Sequence, residues 1–544
     1  MLCLPSLESM MWMKQSLKAI QIFAFAVVVL AAACTQDSEE SSLLVTLAVD
    51  GRERAVPQTV AVTVDEVLRQ AEIELGPLDD VVPPLYTQIT DGMRITVARV
   101  SEETECDEVE VPYQEQRIPY EGLPPGDTRQ VQPGQNGIQQ VCYRVTIRDG
   151  VRSNPVQISS VSMVEPQNSV VYYGPSGELD PVNIEGAITY ISHNNIWQIR
   201  GSSTDGKRQL INSNDADVRG FSVTPDGREI IFTRRTRSEP AIFNRLWLIP
   251  DVNSSLEPIA LIPENVLLAE WVPGTNNTFT YSTGEAVTES PGFRAYNDLF
   301  AMQINLQTGE ALDVRQFVQP SSAFLYAWYP TTYTWSPDGS ELACVLADSV
   351  GLVDLQTGSC RPLLNFPVFE TRQAWSWRSS VSFSTDGNLL LTTIHGQPIG
   401  AEPPGTSPAF HVVIADKEGA FSANVVENAG IWSMPRYSPA VTNPDTGEQR
   451  GFIAYLRARD LSNSINDSAQ YDLFIADRDG SNATKIFPPT GQAGLNGSAG
   501  LTWSPDGTQI AFIYQGNVWV IDVASLITHQ LTLDGGASTL VWTR

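Results

Sequence analysis

The stretch TYTWSPDGSELACV at residues 332–345 decides the fold, because it recurs. LTWSPDGTQIAFIY at 501–514 is a near copy, and FSVTPDGREIIFTR at 221–234 and VSFSTDGNLLLTTI at 381–394 are looser ones. AEWVPGTNNTFTYS at 269–282 and PRYSPAVTNPDTGEQRGFIAY at 435–455 complete the series, the second with an expanded turn. Each copy reads as an apolar strand, a turn and a second strand. Proline presets φ in the turn, and glycine accepts the positive φ that closes it. The recurring aspartates Asp226, Asp338, Asp386 and Asp506 are therefore turn formers. A third strand follows each copy, as in NRLWLIPD, GLVDLQTG, YDLFIADRDG and NVWVIDVASL.

A unit of about 50 residues with four strands cannot bury both its faces alone, and such units stack as the blades of a β-propeller. The two ends of the repeat region fit one another. Residues 188–211 supply three outer strands without an inner one, and STLVWTR at 538–544 is an inner strand with nothing after it. Joined, they make a seventh blade closed by the C-terminal strand. Across roughly 186–544 these words resemble the TolB-like propeller repeat. TolB itself has six blades, so the resemblance leaves six as the alternative count.

Two smaller segments precede the propeller. LLVTLAVDGRERAVPQTVAV alternates apolar and polar residues around Asp50-Gly51, a hairpin signature. Thr63 and Glu66 then form a capping box, Val64, Val67, Leu68 and Ala71 make a helical stripe, and Gly76 is expected to end the helix. With the later strings LGPLDDVVPPL and ITDGMRITVARV, residues 43–100 resemble the small α+β ubiquitin-like domain found beside wall-acting modules such as resuscitation-promoting factors. From 106 to 174, Gly126, Gly134, Gly137, Gly150 and Gly174, with Pro112-Tyr113 and Val164-Glu165-Pro166, resemble the five-glycine (G-five) domain, an extended β fold. That resemblance implies binding of cell-wall or N-acetylglucosamine-containing glycan. The alternative is a rigid stalk.

The N-terminus reads as a targeting segment. Lys14 and Lys18 precede IQIFAFAVVVLAAA, and Cys34 follows three alanines. This resembles a lipoprotein signal peptide over 1–33, with Cys34 as the lipidated first mature residue and 34–42 as an acidic tether. The implied location is the extracytoplasmic face of a membrane. In that oxidising compartment Cys106, Cys142, Cys344 and Cys360 are disulfide candidates, with three pairings open to them. Their spacing favours Cys106 with Cys142 and Cys344 with Cys360, since each pair then stays inside one domain. With no CxxC and no nearby histidine, no metal site is expected.

The chain has 544 residues, with 62 acidic against 34 basic ones and a net charge of -28, which opposes binding to nucleic acid. It contains no GxSxG, no HExxH and no phosphate loop, so neither catalytic residues nor a cofactor are assigned. His193, His395, His411 and His529 lie in or beside strands and read as structural. Function is expected on one rim. The connections between second and third strands are long there, and the connections into the inner strands contain FLYAWYP at 324–330, RQAWSWR at 372–378 and GIWSMPR at 430–436. Tyr326, Trp328, Trp375, Trp377 and Trp432, with Arg234 and Arg457, are the ligand candidates. Aromatics with arginines on such a face suit glycan stacking or a protein hot spot. The expected function is a non-enzymatic envelope lipoprotein that binds wall glycan or an envelope protein. A propeller hydrolase or lyase acting on envelope glycan, and a TolB-like assembly partner, are the alternatives.

Overall fold

The computed structural model describes residues 43–544, apart from 59, 237, 443–448 and 467. The expected signal peptide, Cys34 and the expected acidic tether lie outside the described residues. No described helix is long and apolar enough to cross a membrane. The chain divides into two compact units, one of residues 1–111 and 136–165, the other of 112–135 and 166–544.

In the first unit, Leu43–Val49 and Arg52–Gln58 form the expected hairpin, with Asp50 at φ 51° and Gly51 at φ 70° in its turn. Leu43–Val49 also pairs in parallel with Arg94–Ala98, whose other neighbour is Asp80–Val82. The helix Val64–Gln70 lies against this sheet, and its Thr63–Glu66 capping box is formed. Val45, Leu47, Val64, Val67, Leu68, Ile95 and Val97 make the core. Gly76 does not end the helix. It stops at Gln70, and Glu72, at φ 53°, makes the left-handed step assigned to the glycine. Three long strands follow. Val100–Val111, Gly137–Arg148 and Val156–Val164 form a sheet in which Cys106 stands opposite Cys142 and is bonded to it. Val156–Val164 is exposed along its whole length, so a covalent link between the other two strands replaces a core here.

The second unit begins with the remaining strands of the glycine-spaced segment, Glu115–Pro119, Thr128–Gln132 and Ser169–Tyr173. They have a core because they pack on the propeller. Tyr120 and Tyr172 stack at 4.7 Å within a buried cluster that contains Trp197, Leu531, Leu540 and Trp542. Glu121 and Lys207 form a largely buried ion pair at 3.0 Å, and Glu121 also accepts the Leu533 amide at 2.6 Å. Burial pushes the Glu121 carboxyl above its usual range, with Lys207 opposing the shift.

Seven four-stranded sheets follow; in six the strands run in chain order, one of these with a short fifth strand, and the seventh includes the C-terminal strand. Numbered along the chain, blades 1 to 6 cover 216–264, 266–318, 332–365, 381–426, 436–487 and 502–530. Blade 7 combines Asn183–Ser192, Asn195–Ser202 and Lys207–Gln209 with the C-terminal strand Ala537–Thr543, which pairs with Asn183–Ser192. The blade count is therefore seven. No sheet closes on itself, so packing between neighbouring blades holds the ring. The Trp335 indole donates to Thr280 of blade 2 at 3.0 Å, and the Trp503 indole donates to the Arg436 carbonyl of blade 5 at 3.3 Å. The Arg544 amide donates to Pro225 of blade 1 at 2.9 Å.

The repeated turns share one hydrogen-bonding device. In blade 3 the Ser336 hydroxyl donates to Asp338 at 2.6 Å and accepts the Glu341 amide at 2.9 Å, while Gly339 sits at φ 72°. A Cβ at Gly339 would lie 2.3 Å from the Pro273 carbonyl, so the turn needs glycine for conformation and for its close approach to blade 2. Hydroxyl and amide donors hold the Asp338 carboxyl down at about 2. Cys344 and Cys360 join the second and fourth strands of this same blade.

Candidate functional site on the loop-built rim

Strand alternation sends the second-to-third connections of every blade, and the connections between blades, to the same rim. The turns that carry Asp226, Asp338, Asp386 and Asp506 face the other way. On the first rim, Trp375 comes from the loop between blades 3 and 4 and Trp432 from the loop between blades 4 and 5. Both are half-buried, and their rings stack at 5.6 Å with 29° between planes. The Trp375 indole donates to Gln373 at 2.9 Å, and the Trp432 amide donates to the Tyr471 hydroxyl at 3.3 Å. From the loop between blades 2 and 3, Tyr326 is 36% exposed and lies edge-on to half-buried Trp328, which meets Tyr329 at 5.6 Å.

Arg378 joins these loops. Its guanidinium donates to the carbonyls of Pro330 at 3.2 Å, Tyr326 at 3.1 Å and Tyr329 at 3.3 Å, and to the Ser376 hydroxyl at 2.6 Å. It also lies over the Tyr329 ring, 5.6 Å from its centroid. Burial lowers its pKa to about 10. Sequence reading offered this arginine only as part of a string, because its partners are backbone oxygens some 50 residues upstream.

Two candidates, Trp377 and Arg234, have different roles from those expected. Trp377 is not on the rim. It is 3% exposed and packs edge-on against Phe366 at 5.9 Å and Phe410 at 5.0 Å, between blades 3 and 4. Two positions from Trp375, it turns into the core as backbone alternation is interrupted across this loop. Arg234 is already engaged, in a two-pronged ion pair with Asp215 at 2.8–3.0 Å and over Trp247 at 4.4 Å. Arg457 is exposed and lies 6.0 Å from the Phe474 ring centroid.

A second feature of the rim is a cavity of about 700 Å³ where the strands Thr128–Gln132 and Ser169–Tyr173 meet the loops of blades 7 and 1. His193 and Asn194 supply one wall, Asn214, Asp215 and Arg235 another. His193 and Asn194, at φ 47° and 59°, form one turn at the opening, and Asn214, at φ 57°, bends the loop beside it. Only the run of Asn, Ser and Asp at 212–215 hinted at it in the sequence. His193 donates through Nε2 to the Asp534 carbonyl at 3.0 Å. His395, fully buried, has its two ring nitrogens 2.9 Å from the carbonyls of Pro367 and Ser407, and His411 accepts the Asn428 amide at 3.1 Å. Among the described residues no group of three or more His, Cys, Asp or Glu side chains is placed to hold a metal.

Three family models match parts of the chain. Residues 102–176 match the G5 domain, 45–85 the G5-linked ubiquitin-like domain, and 453–542 the dipeptidyl peptidase IV (DPP IV) N-terminal region. No curated protein matches the chain. Among solved structures, HP0197-G5 is 25% identical and covers 14% of this chain and 99% of its own, with a TM-score of 0.14. The periplasmic gluconolactonase PpgL of Pseudomonas aeruginosa is 13% identical over 66% of this chain and 99% of its own, with a TM-score of 0.40. A protein assigned as TolB from Agrobacterium tumefaciens is 13% identical over 68% and 95%, with a TM-score of 0.31. The chain joins a G5-linked ubiquitin-like domain and a G5 domain to a seven-bladed β-propeller, a composition that places it among proteins of the cell envelope.

Proposed function

We propose that this protein is a non-enzymatic, extracytoplasmic binding protein, tethered through Cys34, that takes wall glycan or an envelope protein on its propeller rim. The observation that carries this reading is the stacked Trp375–Trp432 pair on loops whose neighbours Arg378 ties to backbone carbonyls. An aromatic platform already fixed before binding loses little side-chain freedom when a ligand arrives, so more of its contact energy reaches the complex. The two disulfides agree with an oxidising, extracytoplasmic compartment.

The test presents the detergent-solubilised full chain to an array of N-acetylglucosamine-containing wall fragments and to envelope extracts. Saturable binding, with the glycan recovered intact, is the expected result. Release of new reducing ends from a bound fragment would instead favour the glycan hydrolase reading, and absence of binding to either source would refute the proposal.

A further inference from the structure

We infer that the cavity between the G5 strands and the rim of blades 7 and 1 is a binding site for an anionic saccharide, a hydroxyl-rich ring carrying a carboxylate or a phosphate. The inference rests on the reading of this chain as a binding protein, but it uses none of the rim aromatics. It starts from charge. In a chain with a net charge of -28, Arg235 stands exposed at the cavity wall, and among the described residues its guanidinium makes no ion pair. The acid nearest in sequence at this wall, Asp215, is neutralised by both prongs of Arg234. The cavity thus holds one cation without a counterion, and a planar guanidinium suits a carboxylate or phosphate through paired hydrogen bonds.

The rest of the wall suits hydroxyl groups. The Asn214 side-chain oxygen is occupied, accepting from Tyr172 at 3.2 Å and Asn195 at 2.6 Å, which leaves its amide nitrogen to donate. Gln132 is the converse case. Its amide nitrogen donates to the Asn168 carbonyl at 2.8 Å, and its oxygen remains to accept. Asn194 offers both groups, since its side chain makes no hydrogen bond among the described residues. One donor, one acceptor and one amide with both are what adjacent sugar hydroxyls require. About 700 Å³ is within the ordinary size range of small-ligand sites.

The walls are also held in place. The Tyr120–Tyr172 stack, the Tyr172 hydrogen bond to Asn214 and the Glu121–Lys207 ion pair fix the strands against the blade 7 loops, so the site exists before a ligand enters.

Titration calorimetry on the detergent-solubilised full chain would use three probes: a tetramer of hexuronic acid, a hexose phosphate and a tetramer of N-acetylglucosamine. At least one anionic probe is expected to bind more tightly than the neutral tetramer. Arg235→Gln should weaken that binding about tenfold or more, and Asn194→Ala should weaken it by a smaller factor. The Trp375→Ala/Trp432→Ala variant should bind the anionic probe as the parent does. Arg235 is the exposed last residue of a strand and Asn194 lies in a turn, and unchanged melting temperatures would show that the variants are folded. Equal affinity of parent and Arg235→Gln for the anionic probes would overturn the inference. So would a preference for the neutral tetramer, or loss of anionic binding in the tryptophan variant. Retained uronate binding in a chain that fails to bind wall fragments would refute the rim proposal and leave the cavity standing.

Discussion

Trp542→Ala tests how the ring is locked. Trp542 lies in the C-terminal strand, is 7% exposed, and packs in one buried cluster with Tyr120, Tyr190, Trp197 and Leu540. Its indole donates to the Glu185 carbonyl at 2.6 Å, tying the last strand to the start of blade 7. Truncation leaves a cavity lined by rigid aromatic neighbours and strands an acceptor. Removing a buried tryptophan costs about 3–5 kcal/mol, and the lost hydrogen bond is included in that figure. For a unit of this size about 1 kcal/mol moves the melting temperature by roughly 2 °C. A drop of about 6–10 °C by calorimetry at neutral pH is therefore expected. Deleting Ser538–Arg544 should destabilise at least as much, because it also exposes the unpaired edge of Asn183–Ser192. As a control, Leu526→Ala, at a residue 46% exposed in the fourth-strand turn of blade 6, should shift melting by about 1 °C. A Trp542→Ala melting temperature within a degree or two of the parent would refute the reasoning and show that the C-terminal strand does not secure the ring.

Three further outcomes are expected. Metabolic labelling with a fatty-acid probe should mark the parent and not Cys34→Ser; equal labelling would rule out lipidation at Cys34. Glu270 lies among the inner strands of blades 1 to 3, beside a space of about 470 Å³, and enclosure pushes its carboxyl up from 4.5 to about 8. Between those values the unfolded chain ionises while the folded one stays protonated, so stability falls as pH rises through this window. Glu270→Gln removes that loss. Its unfolding free energy should match the parent near pH 4 and exceed it by pH 8, by roughly 1–3 kcal/mol, a discount on the full shift because the side chain is partly reached by water. A constant difference across that range would contradict the assignment. Arg378→Met should cost about 2–4 kcal/mol by removing the donor to the Pro330 and Tyr329 carbonyls, while Tyr326 keeps the Tyr329 amide, and hydrogen exchange should quicken in 324–330 and 372–378 together. Faster exchange in only one of the two loops would show that the arginine does not join them.

The propeller was legible because its signal is local and repeated. Ser336, Pro337, Asp338 and Gly339 specify a turn without help from distant residues, and close versions of the same word mark blades 1, 4 and 6. The disulfide Cys344–Cys360 belongs to that same local order, within one blade. What escaped the sequence depends on residues far apart. Tyr120 and Glu121 become core and ion-pair residues only because Lys207 and Leu533 come to meet them. The cavity wall likewise joins Gln132 to Asn214 and Arg235. At the rim, Trp375 and Trp377 share one string, and nothing in RQAWSWR tells which ring turns inward; Phe366 and Phe410 decide it. Arg234 looked like a free cation until Asp215, 19 residues earlier, appeared as its partner. Gly76 failed as a helix stop because Glu72 takes the left-handed step earlier, and Ile73 and Leu75 then reach the core from non-helical chain.

Side-specific binding tests the central claim most directly. Parent, Trp375→Ala/Trp432→Ala, Tyr326→Ala and Arg228→Ala/Ser340→Ala would be compared for binding to wall fragments and envelope extract, after melting curves show each to be folded. Arg228 and Ser340 lie in turns on the opposite rim, where Arg228 pairs with Asp251 at 2.9 Å and Ser340 donates to Asp338. Truncating a central aromatic anchor costs about 1–3 kcal/mol of binding, so the tryptophan variant should lose binding about tenfold or more and Tyr326→Ala should lose less. The turn-side variant should bind as the parent does. Equal binding by all four proteins would contradict a recognition rim and reduce the propeller to a scaffold for the G5 domain.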